Sequence, residues 1–390
     1  MNRTLGAILL VIGTCVGAGI LALPIISSFS GFMPAILTLT TCWFFLFLSA
    51  LFLLEVNLAS PDHSNLISMA GKTLGVVGQV ASWILTSLLL YSLLTAYIAG
   101  SSTFFTPWLP NWAAPLPILV LFGIFVYLGT AQSDRLNRGL ISLKALAFLF
   151  LIILLPRYIQ PALLSHTDVS GIAYALPVTI TAFGFHTIIP VLTPYLNHNR
   201  KKLRFVLFVG SIIPLGIYLL WDFLVMGSVQ LPALIAAFKD GDTAATPLVA
   251  MVQTDWLSFV AGTFPFISIL SSFLGVALSL SDFLTDGLRL RRYSYWKEIA
   301  AVLTFIPPFV FFLINPHLFI SALSYAGMFV ALLLGAMPAM MAWNLPHLHR
   351  WRPAMVAVIL FSLGIVVLDI LQETGYLEFI IQPYLDTVMS

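Results

Sequence analysis

The sequence predicts an all-α integral membrane protein of eleven transmembrane helices, with no soluble domain. Composition is the first observation: of 390 residues, 60% are apolar and 8% charged, and the mean hydropathy is +1.03. A soluble domain is about 25% charged, so this chain has about a third of the usual charge. The second is run length. At about 35 residues per span and loop, of which about 20 cross the hydrocarbon, the chain holds roughly eleven spans. The third is the placement of Lys and Arg in alternate connections. Together these exclude a soluble enzyme, a disordered chain and a nucleic-acid-binding protein. An outer-membrane barrel is disfavoured because its strands alternate apolar and polar residues.

Apolar runs between charges, Pro and Gly place the spans near 5–29, 32–58, 76–104, 115–131, 139–156, 171–196, 203–228, 257–285, 299–314, 318–343 and 354–373. The first follows Arg3 and is too long for a signal-peptide core, so it reads as a retained span. Gly31 separates it from the second. Gly75 opens the third and Pro115 the fourth. Arg138 and Pro156 bound the fifth, and Gly171 opens the sixth. Arg200-Lys201-Lys202 precedes the seventh. Residues 229–256 contain Pro232, Lys239, Asp240, Asp242 and Pro247 and read as a long structured loop. Asp286, Asn315 and Asn344 end the eighth, ninth and tenth, and Pro353 introduces the last. With the N-terminus inside, 14 of the 17 Lys and Arg are cytoplasmic. Arg157 and Lys239 fall outside and Lys144 lies within the fifth span. This predicts a cytoplasmic N-terminus and a periplasmic or extracellular C-terminus. The basic clusters themselves read as topology determinants. Cys15 and Cys42 fall in apolar runs, which supports neither a disulfide framework nor a cysteine-rich metal site, and no cofactor is expected.

Two spans carry interruptions. The first contains Gly13-Thr14-Cys15-Val16-Gly17-Ala18-Gly19 and then Pro24; the sixth contains Phe183-Gly184-Phe185-His186 between Pro177 and Pro190. Glycine costs a helix about 1 kcal/mol relative to Ala, and unwound backbone survives in lipid only where protein or a cavity satisfies it. Gly13 and Gly17 also fit a small-residue packing interface. The pairing favours the other reading: broken helices at corresponding positions of two halves point to a transporter site at the midplane. Spans one and six are five apart, so the halves, roughly 5–156 and 171–343, are inverted repeats within one domain of 1–390, with 354–373 extra.

The first-span run through Ile20-Leu21-Ala22-Leu23-Pro24 resembles the first-helix motif of the hydroxy/aromatic amino acid permeases, within the amino acid–polyamine–organocation superfamily. Ala182-Phe183-Gly184-Phe185-His186-Thr187-Ile188-Ile189-Pro190 is similar to that family's sixth-helix motif. Within the family the chain looks most like the bacterial tyrosine-specific permeases. The resemblance implies a LeuT-like inverted five-plus-five fold in the bacterial inner membrane. It also implies uptake of an aromatic amino acid, tyrosine first and tryptophan or phenylalanine otherwise, by proton symport.

Residues 14–19 and 183–186 are therefore the candidate substrate site, with Phe183 and Phe185, and more weakly Tyr91, as partners for an aromatic ring. Lys144 stands alone in an apolar run. Some relatives in the wider group carry a fifth-helix lysine where sodium-coupled members hold a cation, which makes it a candidate proton carrier; the other reading is a lysine snorkelling to the cytoplasmic face. His186 is a second candidate for the proton, or a fixed hydrogen-bond donor. Ser268, Ser271 and Ser272 share one face of the eighth span and either line a polar cavity or join helices. Asp222 reads equally as a packing or a gating residue. Asp282 and Asp286 are expected to pair with Arg289 or Arg291. No Walker motif is present, nor the nucleophile or zinc motifs of hydrolases, so neither an ATP-driven pump nor an enzyme is expected. A channel would need a charged ring or a filter loop.

Overall fold

The computed structural model describes residues 3–61, 64–128, 130–252 and 255–389. Residue 129 of the predicted fourth span and residues 253–254 of the predicted loop lie outside these. Among the described residues there is helix and no strand. Within the described residues, nine helical stretches are long and apolar enough to cross a membrane, and two shorter apolar helices stand at the predicted first and fourth spans.

The first span is α1 (Arg3–Cys15), a 3-10 turn (Ala18–Leu21) and α2 (Leu23–Ser30). Then come α3 (Phe32–Leu58), α4 (Leu66–Ser102), α5 (Leu116–Leu128) and α6 (Thr130–Leu154). The sixth span is α7 (Gly171–Thr179), two 3-10 turns and α8 (Ile189–Tyr195). The long α9 (Arg200–Ser228) is followed by α10 (Leu231–Lys239) and α11 (Ala245–Met251), which occupy the predicted loop. The rest is α12 (Asp255–Gly287), α13 (Trp296–Ile314), α14 (Phe319–Val330), a π-helical segment (Ala331–Ala336), α15 (Met337–Ala342), α16 (Arg352–Glu373) and α17 (Glu378–Met389).

Three boundaries differ from expectation. The third helix begins at Leu66, not 76, because Asn65 and Ser68 cap it reciprocally (Ser68 N to Asn65 Oδ1, 2.8 Å); Gly75, at φ 73°, then kinks it. The fifth begins at Thr130, not 139: its charged first turns extend the helix beyond its apolar part. After the last predicted span, α17 forms an additional helix; its Ile380 and Ile381, with Leu377 just before it, share a small core with Phe29 and Ile235.

The interior is tight. An ideal Cβ at Gly327 of α14 would lie 1.6 Å from the Pro177 carbonyl oxygen, whereas nothing lies within 4 Å of one at Gly364. Gly327→Ala should therefore lose about 1–3 kcal/mol of stability through overpacking. Gly364→Ala should be near neutral, as read by thermal unfolding in detergent.

Polar residues pair across helices. Glu55, 3% exposed, bonds Arg204 at 2.7 Å, Arg200 at 3.0 Å and His347 at 3.0 Å, which ties α3 to α9 and to the turn before α16 at the basic end of the molecule. Asp222 is fully buried and accepts from Ser27 Oγ at 2.7 Å, a contact between α9 and α2. Asp286 pairs with Arg291 at 3.7 Å, both exposed. At the opposite end, Tyr384 of α17 donates to Asp168 Oδ2 at 2.7 Å. Hydrogen bonds from Ser170 and then Tyr384 hold this half-buried carboxyl below its ordinary value of 3.8. A depressed carboxylate value means the contact is fully present above the ordinary range and is lost as pH falls through the lower, folded value. Acid should therefore loosen α17, seen as faster C-terminal proteolysis, and Tyr384→Phe should remove that dependence.

Candidate functional site

Glycine and the failure of helical pairing set the geometry of the first break. Val16 N still reaches Ile12 O at 2.9 Å, but Gly17 N turns back to Cys15 O at 2.8 Å and the helix ends. The groups released are met by side chains from other helices. Ala18 N donates to Ser272 Oγ of α12 at 2.9 Å. Lys144 Nζ of α6 donates to Val16 O at 2.8 Å and lies 3.4 Å from Ser271 Oγ. Tyr218 Oη of α9 lies 2.7 Å from Cys15 O. In the second break Gly184 adopts φ −79°, ψ 45°, and Phe185 N bonds Phe183 O at 3.0 Å instead of continuing a helix.

Both breaks face one cavity of about 630 Å³, within the range of small-molecule sites. Of the predicted residues, Thr14, Cys15, Val16, Gly17, Gly19, Lys144, Gly184, His186, Ser271 and Ser272 line it. The cavity also reaches Asn65, Asn137, Pro190 and Val191, which belong to the end of the molecule rich in Lys and Arg. Among the described residues, Lys144 is its one formally charged lining residue. His186 is fully buried, and apart from a marginal approach to the Leu46 carbonyl neither ring nitrogen has a hydrogen-bond partner.

Five predicted residues are not brought to the wall. Phe183 is fully buried against α9, edge-on to Tyr218 at 5.4 Å. Phe185 is fully buried beside the His186 ring. Tyr91 turns to α13, donating to Leu303 O at 2.8 Å. Ala18 presents its N–H to Ser272 and is buried. Ser268 is buried on the same helix face as Ser271, and its Oγ is unpaired. The rings expected to stack on a substrate thus pack in the protein interior.

The sequence reading missed Tyr97, Thr181, Thr187, Leu333 and Leu334, all of which line the cavity. A signal existed for Tyr97: Thr86, Leu89, Leu90, Leu93 and Tyr97 recur at helical spacing on one stripe of α4, and Tyr91 lies off it. The π-helical segment holding Leu333 and Leu334 has no sequence signature, although such segments often mark functional sites. Ser49 Oγ donates to the Leu334 carbonyl and, at 3.0 Å, to that of Gly335.

Two interrupted membrane helices around a cavity, in a chain of apolar spans, define the class: a multi-pass membrane permease and not an enzyme. The sequence profile of the tryptophan/tyrosine permease family matches residues 1–369, and the chain belongs to that family. It is 32% identical to tyrosine-specific transport system 1 of Haemophilus influenzae, with 98% of this chain and 100% of the relative covered. It is 31% identical to a tryptophan-specific transport protein of Pseudomonas aeruginosa, covering 96% and 95%. Among solved structures, a mutant manganese transporter of Eremococcus coleocola shares the fold at 14% identity. Its TM-score is 0.60, with 98% of this chain and 93% of that one covered.

Proposed function

We propose that the protein imports an aromatic amino acid, tyrosine first, by proton symport across the bacterial inner membrane, through alternating access to the cavity between the two helix breaks. The convergence of both breaks on one cavity carries this reading. Relatives at 32% and 30% identity are tyrosine-specific. The substrate's carboxylate and ammonium take the groups near 14–19 and 183–186, since helix N-termini favour anions and freed carbonyls favour cations. The eleven spans comprise an inverted five-plus-five repeat and one extra helix, with the N-terminus cytoplasmic. The cavity's approach to the basic end then makes this an inward-facing conformation. The membrane supplies the bilayer and the proton gradient. Lys144 is the coupling residue, with His186 as the alternative.

Uptake of labelled tyrosine into proteoliposomes, with unlabelled amino acids as competitors, tests the substrate. Tyrosine should compete best, and stronger competition by tryptophan overturns that choice. Counterflow tests the carrier mechanism: preloaded tyrosine should accelerate uptake.

Alternating access also requires spans 1, 2, 6 and 7 to move against the remaining scaffold, with residues 229–256 shifting over the outer mouth. Spin labels placed on α10 and on α12 should report a distance distribution that changes with substrate. One distribution common to both conditions counts against the motion.

A further inference from the structure

The cavity stops at the two breaks. Among the described residues it takes none from α2, α7, α10 or α17, and these four elements pack on one another at the end of the molecule away from the basic clusters. Phe29 of α2 is the centre of that packing. It is fully buried, with the rings of Tyr174 of α7, Phe238 of α10 and Tyr384 of α17 set edge-on around it at 5.7, 5.0 and 5.7 Å. Ile380 and Ile381 of α17 share the same core with Ile235 of α10. Two hydrogen bonds fasten the helix along its rim. Lys239 Nζ of α10 donates to the Leu385 carbonyl at 2.8 Å. Tyr384 donates to Asp168, whose own N–H donates to Ser30 O at the end of α2 at 2.8 Å. The other end of α17 is a turn: residues 374–377 join it to α16, and Gly375 reverses the chain there at φ 78°, a conformation that costs glycine little. The helix thus hangs from the last long span and reaches across to the halves of both broken spans that lie beyond the breaks.

We propose that α17 is a latch on the mouth opposite the basic end: it holds α10 down on α2 and α7, stabilises the conformation in which that mouth is shut, and releases α10 in every transport cycle. This rests on the alternating-access reading above and adds the element that sets the balance between its two states. Lifting α10 from α2 and α7 separates Phe29, Ile235 and Ile381. Apolar area that is buried only while the mouth is shut favours the shut state in proportion to that area, and a contact made in one state alone is what shifts a two-state equilibrium. The contact is also of a size that can release: it is one small core separate from the main one, with two hydrogen bonds at its rim.

The test uses the full-length protein in proteoliposomes. Lys239→Cys combined with Leu385→Cys places a thiol on each side of the α10–α17 contact, and a short bis-methanethiosulfonate reagent joins the two by bonds that a reductant breaks. Cross-linking should slow tyrosine counterflow at least about tenfold and reductant should restore it, both measured against the two single-cysteine variants, in which Cys15 and Cys42 meet the reagent equally. The opposite perturbation is Ile381→Ser, which removes apolar area from the latch alone. Spin labels on α10 and α12 should then show the ratio of open to shut mouth raised on the order of tenfold in the absence of substrate. Counterflow that survives the cross-link means that α17 rides with α10, and overturns the proposal. An open-to-shut ratio unchanged in Ile381→Ser overturns it as well. Wild-type protein without counterflow removes the carrier reading and the latch with it, whereas wild-type counterflow with an indifferent cross-link removes the latch alone.

Discussion

Gly17→Leu should abolish tyrosine binding, by at least about a hundredfold in affinity, a loss of about 2.7 kcal/mol, while leaving the protein in the membrane. Gly17 sits where α1 stops and the 3-10 turn begins, with φ −106° and ψ −161°. An ideal Cβ there would already stand 3.3 Å from Ser272 Oγ, the oxygen that accepts the Ala18 N–H. Leucine adds three further carbons at the same point. They must displace Ser272, which releases the Ala18 N–H, or enter the cavity between the two breaks. Either way the polar groups offered to a substrate are lost or covered. Gly216, on the exposed face of α9 with nothing within 4 Å of an ideal Cβ, is the matched control: Gly216→Leu should bind normally. Equilibrium binding on purified, monodisperse protein separates the cases. Normal tyrosine affinity in Gly17→Leu would remove the first break from the site.

The membrane architecture was legible because it follows from local chemistry. Apolar runs, glycine breaks and charge placement are properties of contiguous residues, so both interruptions appear within a residue or two of where the sequence puts them. The ends of α4 and α6 were less legible, since a cap such as Asn65 or a charged turn extends a helix past its apolar part. The site was legible as backbone and opaque as side chains. Gly17 and Gly184 announce themselves by what they cannot do in a helix. Which way Phe183 or Tyr91 points depends on its neighbours across the bundle, here Tyr218 and the Leu303 carbonyl, and these lie 35 and 212 residues away in the chain. Aromatic residues beside a break are attractive substrate partners by chemistry alone, yet the same rings fill the space behind the unwound backbone. Tyr218 had no local signal: it is one more tyrosine in an apolar helix until both breaks are in place.

Lys144→Ala should uncouple uptake from the proton gradient while leaving exchange of tyrosine across the membrane measurable. Snorkelling would send the ammonium to the interface; instead the side chain is 9% exposed and its Nζ reaches the Val16 carbonyl at 2.8 Å, inside the first break. That carbonyl exists as a free acceptor only because the helix has ended. The ammonium therefore sits between α1 and α12, with Ser271 Oγ at 3.4 Å as a second oxygen. Protonated, it binds the break to the scaffold by a charge-assisted hydrogen bond, which is roughly twice as strong as a neutral one. Deprotonated, it keeps its length and loses that grip. Coupling then follows if the proton is held more tightly in one of the two access states, since a ligand with equal affinity for both shifts nothing. Alanine removes the proton site and should leave a carrier that equilibrates but does not concentrate, so an imposed pH gradient would raise internal tyrosine in the wild type only. Lys144→Arg is the complementary variant. Its charge is permanent at any working pH, so it should bind tyrosine and fail to accumulate it. Accumulation by Lys144→Ala at the wild-type level would make the residue structural and transfer the role to His186, whose buried ring lines the same cavity. A sodium gradient that drives uptake at constant pH would instead remove the proton mechanism, because a lysine ammonium bonded to the Val16 carbonyl would repel a sodium ion at the same oxygens.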